Sequence, residues 1–423
     1  PTFGGINLED IKAPESFKIE TELKEKLNIP VMHDDQHGTA IISAAALLNA
    51  LEVVDKSIAE VKIVVNGAGA AAVSCTKLYQ ALGLKKENTV MCDSRGVIRA
   101  DRENLSESKQ EFATDRDIST LEEAMIDADV FVGLSIADVL SPEALLTMAK
   151  NPIVFALANP SPEIDYNLAV ETRNDLIMAT GRSDHPNQVN NVLGFPYIFR
   201  GALDVRATKI NEEMKLAAVR ALANLTKQGV PEMVLRAYDD RKITFGKEYL
   251  IPKPLDPRLI TAISPAVAKA AIESGVARKP ITDWLAYEQE LEERLGQDQK
   301  LMSGVVSRAR HNPKRVVFAE GDNYKTLKAA EIVKSEGIGH PILLGNRKKI
   351  EPLVEEYNLD LEGCTVIDLM DEDEQERITR YAEQFYELRK RKGLTFPEAR
   401  KLLYTRNYFG SMMVKLGEAD AMI

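Results

Sequence analysis

The sequence has few cysteines, no long apolar run and no excess of positive charge. Its three cysteines, Cys75, Cys92 and Cys364, lie far apart without CxxC spacing, which disfavours disulfides or a cysteine zinc site. We therefore expect reduced thiols in a cytoplasmic protein. No stretch of about 18 uninterrupted apolar residues is present, so we expect no membrane span. The net charge of −11, from 65 acidic and 54 basic residues, disfavours nucleic acid as a partner.

The length of 423 residues predicts two or three domains. Apolar strand patterns alternate with helical ones through the first half, which predicts an α/β fold with a doubly wound, Rossmann-like parallel sheet. The predicted strands are Val61–Val65, Thr89–Asp93, Val130–Leu134, Ile153–Leu157 and Leu176–Ala179. The segment His33–Thr39 is predicted to be a loop before a buried helix. A charged helix from Trp284 to Arg310 is interpreted as a linker, and a second, partial α/β unit begins after it.

A glycine-rich turn follows the first of these strands. Gly67-x-Gly69-x-x-Ala72 lies between a strand and a helix, as in the dinucleotide fingerprint with alanine in the third small position. Gly69 would let the backbone approach a pyrophosphate at the helix N-terminus. Asp93 ends the next strand, where the fingerprint requires an acid. The alternative is a tight turn in a Rossmann-like domain that binds another ligand.

The residues after that acid leave the choice of nucleotide open. Asp93 could accept hydrogen bonds from a ribose 2′-hydroxyl, which would favour NAD. Ser94 and Arg95 could instead hold the 2′-phosphate of NADP, because arginine pairs with phosphate through two hydrogen bonds. The local pattern does not decide between the two nucleotides.

Two adjacent acid pairs are candidate metal ligands. If the loop that holds Asp34-Asp35 lies near Glu9-Asp10, three or four carboxylates converge, and they would repel one another unless a cation neutralises them. Mg²⁺ and Mn²⁺ prefer such oxygen ligands. The alternatives are solvated acids or a helix cap. The two histidines that flank the second pair could bind zinc, but they lack the HExxH pattern.

Six segments together resemble the bacterial NADP-dependent malic enzymes. In chain order they are Phe3–Ile11, Asp34–Thr39, Gly67–Ala72, Ala156–Glu163, Gln188–Pro196 and Asp256–Ala271. Beyond the predicted linker, Asn312–Gly321 resembles the start of a phosphotransacetylase domain, the fusion typical of hybrid malic enzymes. The resemblance implies an end of the N-terminal malic enzyme domain (1–30), an NAD(P)-binding domain (31–283), a helical linker (284–312) and a partial phosphotransacetylase-like domain (313–423).

The resemblance also assigns residues. It implies metal ligation of Mg²⁺ or Mn²⁺ by Glu9, Asp10 and Asp35, and makes the neighbouring Asp34 a candidate for a catalytic role. Contacts to the cofactor are implied for Gly67, Ala68, Gly69, Ala70, Ala71, Asp93, Ser94, Arg95 and Asn159. Asn159 and Asn191 are implied to lie near nicotinamide and substrate, although such amides also commonly cap loops. Family membership favours NADP over NAD.

The implied reaction is the oxidative decarboxylation of malate to pyruvate. Hydride passes to the nicotinamide, and the metal acts as a Lewis acid while CO₂ leaves. The family uses a lysine base and a tyrosine acid upstream of the metal motif, but none of the eight residues before Glu9 is Lys or Tyr. The chain begins without Met, and its end at Ile423 resembles an interrupted strand. We therefore expect a fragment that is truncated at both ends and does not turn over malate.

Other partners and other functions remain to be distinguished. The resemblance implies malate and pyruvate as ligands, an acyl-CoA effector of the C-terminal domain, and a homo-oligomer. One alternative is a non-catalytic module that responds to nucleotide or acyl-CoA. Another is a different Rossmann dehydrogenase, such as an amino-acid dehydrogenase. A requirement for a divalent metal separates the leading hypothesis from both alternatives.

Overall fold

A computed structural model of the chain describes residues 2–12, 14–238, 243–295, 305–357 and 359–423. These residues form two compact units, Pro1–Leu291 and Glu292–Ile423, divided inside the segment predicted as a linker. The linker helix predicted to run continuously from Trp284 to Arg310 is wrong, because the helix ends at Glu293 and a turn follows. A glycine comes directly afterwards in the sequence, as is common just beyond a helix end. The middle of this prediction, residues 296–304, lies outside the described residues.

The first unit is built on a doubly wound sheet, as predicted. Its strands and those of a small two-stranded sheet before it are β1 Ile6–Leu8, β2 Val31–His33, β3 Ile63–Asn66, β4 Thr89–Asp93, β5 Gly96–Val97, β6 Val130–Gly133, β7 Ile153–Ala156 and β8 Ile177–Thr180. The order in the six-stranded sheet is β5-β4-β3-β6-β7-β8. Only the short edge strand β5, which the sequence analysis did not predict, pairs antiparallel.

Both faces of this sheet are covered, which explains its continuous apolar strands. Ile63 and Val65 of β3 belong to one hydrophobic cluster, whereas Val64 between them belongs to a second cluster. Side chains alternate between faces along a strand, so a strand buried on both faces shows no polar alternation. The helices of this unit are α1 Glu15–Lys26, α2 Asp34–Val53, α3 Ala70–Ala81, α4 Glu107–Gln110, α5 Leu121–Met125, α6 Pro142–Thr147, α7 Tyr166–Thr172, α8 Phe195–Asp204, α9 Glu212–Thr226, α10 Glu232–Ala237, α11 Arg258–Glu273 and α12 Trp284–Glu293.

The loop predicted at His33–Thr39 is wrong, because α2 begins at Asp34 directly after β2. Acidic residues in a first turn interact favourably with the helix dipole, which supports this early start at Asp34 and Asp35. Gly38 is a poor helix former. The helix nevertheless continues past Gly38, because the alanine-rich remainder of α2 is buried in the core and stabilises the helical conformation. The two acids are therefore fixed on a helix end.

The strand order reverses between β4 and β6, on either side of β3. In open α/β sheets such a reversal opens a crevice at the carboxyl ends of the strands, where ligands bind. The turn Gly67–Ala72 and the loop that follows β6 both leave the sheet at this crevice. In the part of the chain that the structure describes, no helix is both long and apolar enough to cross a membrane.

The second unit is a smaller α/β structure. Its strands are β9 Lys314–Phe318, β10 Gly339–Leu344, β11 Thr365–Ile367 and β12 Ala421–Met422, all parallel in the order β11-β10-β9-β12. Its helices include α13 Tyr324–Ser335, α14 Arg347–Tyr357, α15 Gln375–Arg389, α16 Phe396–Leu402 and α17 Arg406–Lys415. Arg406 donates two hydrogen bonds of 2.6 Å to Asp322 and so joins the start of α17 to the loop after β9.

Candidate functional site

The glycine turn after β3 has the geometry that a bound pyrophosphate needs. Gly67 has φ +132°, and a Cβ there would lie 2.5 Å from the carbonyl oxygen of Leu134, so only glycine suits the position. A Cβ added at Gly69 would meet no atom within 4 Å, so the backbone is open on that side. Helix α3 begins at Ala70 without a side-chain cap. Its first N–H groups are therefore available to an anion.

The acid at the end of β4 is already engaged. Arg102 Nη2 donates to both oxygens of Asp93 at 3.1 and 3.0 Å, and Lys109 Nζ donates to Oδ2 at 2.7 Å. Although burial acts to raise the pKa of Asp93, these hydrogen bonds lower it to about 2. Ser94 and Arg95 next to it are exposed, and the backbone N–H of Arg95 donates to Asp93 Oδ1 at 2.9 Å. At the end of β4, Arg102 and Lys109 therefore place positive charge around Asp93, whose carboxylate oxygens already accept hydrogen bonds.

A buried carboxylate, Glu163, joins the loops that follow β6 and β7. It is completely buried and accepts one N–H from Ser135 and one from Ala158, each at 3.0 Å. Burial raises the pKa of Glu163, and the two N–H donors act in the opposite direction. Asn159, which directly follows Ala158, precedes a cis peptide bond to Pro160. Glu163 ends the motif Ala156–Glu163, but no local sequence signal marks it as a buried acid.

The two acid pairs meet, as the metal hypothesis requires. The backbone N–H of Asp10 donates to Asp35 Oδ2 at 2.9 Å, and Asp10 has a left-handed φ of +56°. β1 and β2 pair in parallel just before the two acid pairs, with Leu8 opposite His33. The Glu9-Asp10 segment and the first turn of α2 are therefore neighbours.

Asp34 lies within this group and is buried. Burial and then the charge of Glu9 raise the pKa of Asp34 to about 6. Its Oδ1 has no hydrogen-bond partner among the described residues. A buried carboxylate oxygen without a donor is costly, and a cation or a ligand proton would relieve that cost.

Asn191 is the one predicted substrate residue that the structure joins to these acids. Its Oδ1 accepts from Thr39 Oγ1 at 3.1 Å, and its Nδ2 donates to the backbone carbonyl of Asp34 at 3.3 Å. No hydrogen bond among the described residues links Asn159 to the carboxylates. Asn159 instead lies in the loop after β7, at the carboxyl end of that strand.

The carboxylates fit a divalent cation in donor type, but they are not assembled as a finished coordination sphere. Among the described residues, no three His, Cys, Asp or Glu side chains are placed so that they could hold one metal ion. Side-chain rotations would be needed to bring Glu9, Asp10 and Asp35 to a common point. The all-oxygen donor set is what a hard cation such as Mg²⁺ or Mn²⁺ prefers, and the buried Asp34 oxygen that lacks a hydrogen-bond partner among the described residues lies beside it.

Comparison with known proteins identifies the family of the chain. The family description "Malic enzyme, NAD binding domain" matches residues 36–237, and the chain is 51% identical over 426 residues to the NADP-dependent malic enzyme of Salmonella typhimurium. The chain belongs to the malic enzyme family. The alignment covers 100% of this chain and 56% of that relative, so the chain spans about half the length of the curated malic enzymes it matches.

Solved malic enzymes share the fold of the first unit. The Pyrococcus horikoshii malic enzyme matches with a TM-score of 0.62 and 38% identity, over 69% of this chain and 66% of that one. The NAD-dependent malic enzyme of Thermotoga maritima matches with a TM-score of 0.54 and 42% identity, over 63% of this chain and 67% of that one. The description "Phosphate acetyl/butaryl transferase" matches residues 300–423, which confirms the hybrid type of malic enzyme.

Proposed function

We propose that this chain carries the NADP-binding and metal-binding parts of a site that oxidises and decarboxylates malate. The observation that carries the proposal is the contact between Asp10 and Asp35, beside the buried Asp34. A purely nucleotide-responsive module has no need to gather these acids. The similarity to the Salmonella typhimurium protein, which is named an NADP-dependent malic enzyme, supports the same function.

In this proposal Glu9, Asp10 and Asp35 hold Mg²⁺ or Mn²⁺. When bound, such a cation supplies a Lewis acid that stabilises the negative charge developing on substrate oxygen as CO₂ leaves. Asp34 presents one oxygen that is free to accept a hydrogen bond from the substrate. Asn191, held by Thr39, would orient the substrate at the same helix end.

A direct test measures the binding of malate by calorimetry in the presence of NADPH. We expect malate to bind only when Mn²⁺ is present, and binding to be lost in Asp35→Asn, because this substitution removes one charged metal ligand. The exposed Asp55→Asn serves as the matched control and should bind like the unmodified chain. Malate binding of equal strength with and without Mn²⁺ would contradict the proposal.

The cofactor side would bind the dinucleotide at the carboxyl end of β3. Backbone N–H groups at Gly67–Ala71 would hold the pyrophosphate, and Asn159 would lie near the nicotinamide. We propose NADP over NAD because Arg102 and Lys109 already donate hydrogen bonds to Asp93. The Asp93 carboxylate is therefore a poor acceptor for the hydroxyl groups of a ribose. The same cations, with Ser94 and Arg95, favour a 2′-phosphate.

Arg95→Ala is expected to weaken NADPH binding about 10- to 100-fold and to leave NADH binding unchanged. The loss corresponds to one charge-assisted hydrogen bond to phosphate, about 1.5–3 kcal/mol in the free energy of binding. Fluorescence titration with both reduced nucleotides measures it. Arg99→Ala is the matched control, because Arg99 already pairs with Asp101 and Asp117. Equal weakening of NADPH and NADH by Arg95→Ala would refute the 2′-phosphate role.

A further inference from the structure

The polar helix α1 carries one buried acid, Glu20, which is only 6% exposed. Its carboxylate accepts the backbone N–H of His33 at 3.2 Å and contacts His37 Nε2 at 3.0–3.1 Å. Lys24, one turn further along α1, approaches Glu20 Oε1 at 2.7 Å. Glu20 therefore has three donors, two of them on the segment that bears Asp34 and Asp35.

The geometry fixes the protonation of His37. A carboxylate only accepts, so the proton lies on Nε2, and Nδ1 can then accept from Lys215 Nζ at 3.4 Å. Burial lowers the pKa of His37; the hydrogen bond to Glu20 opposes this shift, and the charge of Lys215 adds to it. The Glu20 cluster, defined as Glu20, Lys24, His37 and Lys215, thus connects α1, α2 and α9 through directed hydrogen bonds.

This cluster lies behind the proposed metal site. The segment Glu9-Asp10 leads into α1, and Glu20 ties α1 to both sides of Asp34-Asp35. Further links between the two acid pairs that the structure describes include the three-residue pairing of β1 with β2 and the hydrogen bond from the Asp10 N–H to Asp35. Glu20 adds a buried, directed polar link between α1 and the start of α2 to these short contacts.

We propose that Glu20 is a positioning residue that sets the metal affinity of the site by holding the Glu9-Asp10 segment against the start of α2. Buried ion pairs contribute little net stability compared with apolar residues of similar size, so stability alone does not account for a buried acid here. Partners behind metal ligands commonly change metal affinity by about 10–100-fold. The inference rests on the proposed metal site.

The test compares Glu20→Gln with Glu22→Gln in the same chain. Glu22 lies on the same helix, is 44% exposed at its side chain and pairs only with Lys18 and Lys26 among the described residues. Free Mn²⁺ is titrated by electron paramagnetic resonance, and NADPH by fluorescence. We expect Glu20→Gln to weaken Mn²⁺ binding about 10-fold or more. NADPH affinity should stay the same, and Glu22→Gln should change neither affinity.

The outcomes separate the two hypotheses. If the unmodified chain binds Mn²⁺ and Glu20→Gln binds it equally well, the positioning role is refuted while the metal site stands. If the unmodified chain does not bind Mn²⁺, both are refuted. Should Glu20→Gln fail to fold, His37→Gln and His37→Asn replace it. Glutamine can place an N–H near the Nε2 position and asparagine cannot, so only His37→Asn should lose Mn²⁺ affinity, and equal affinities would overturn the proposal.

Discussion

Replacing Gly38 with alanine is expected to weaken Mn²⁺-dependent malate binding by about 10–100-fold. A Cβ at Gly38 would overlap Asp34 Oδ1 and lie 3.0 Å from Cγ of Asn191. Asp34 and Asn191 would then have to separate, and the hydrogen bonds of Asn191 to Thr39 and to the Asp34 carbonyl would be strained. Calorimetry with malate, Mn²⁺ and NADPH measures the loss.

The same variant should lower the free energy of unfolding by no more than about 2 kcal/mol. Alanine in place of glycine inside a helix stabilises it by about 1 kcal/mol, which offsets part of an overlap costing about 1–3 kcal/mol. Gly246→Ala is the matched control, because a Cβ there meets no atom within 4 Å. Unchanged malate binding in Gly38→Ala, with thermal unfolding like the control, would mean that the start of α2 is not part of the site.

Glu163→Ala is expected to destabilise the first unit by about 3 kcal/mol or more. The substitution leaves the N–H groups of Ser135 and Ala158 buried without an acceptor, at about 1–3 kcal/mol each, and opens a cavity. Because the loops after β6 and β7 then separate, NADPH affinity should fall as well. Urea denaturation and NADPH titration measure the two effects, and the exposed Glu171→Ala is the control.

A double-mutant cycle with Gly133 tests the packing directly. A Cβ at Gly133 would overlap the carboxyl group of Glu163, so Gly133→Ala should be costly in the native background. In the Glu163→Ala background the overlapping atoms are gone, and the added methyl should cost much less. Additive free energies would show that the two residues do not interact, which would contradict the structure.

The local signals of the sheet were strong enough for prediction from sequence. The β-branched run before Gly67, the two glycines and the acid at Asp93 define strand, turn, helix and strand within about 30 residues. Their contacts are made mostly within this unit, so the sequence alone specifies them. The sequence alone could not predict that Glu9-Asp10 lies next to Asp34-Asp35. This proximity depends on the pairing of β1 with β2, for which the sequence gives no local signal.

The start of α2 and the burial of Glu20 and Glu163 depend on residues that are distant in the sequence, so no local sequence pattern predicts them. The sequence predicts a loop at His33–Thr39, where the aspartates and Gly38 are weak helix formers, but the buried remainder of α2 decides the conformation. Glu20 and Glu163 look like ordinary surface acids in the sequence. They are buried only because His37 or the N–H groups of Ser135 and Ala158 meet them in the fold.

The most direct test of the metal site is anomalous X-ray diffraction from crystals of this chain grown with Mn²⁺ and NADPH. We predict one strong manganese peak within bonding distance of carboxylate oxygens of Glu9, Asp10 and Asp35. A manganese position elsewhere, or no bound manganese at millimolar concentration with these carboxylates ordered and turned apart, would contradict the account.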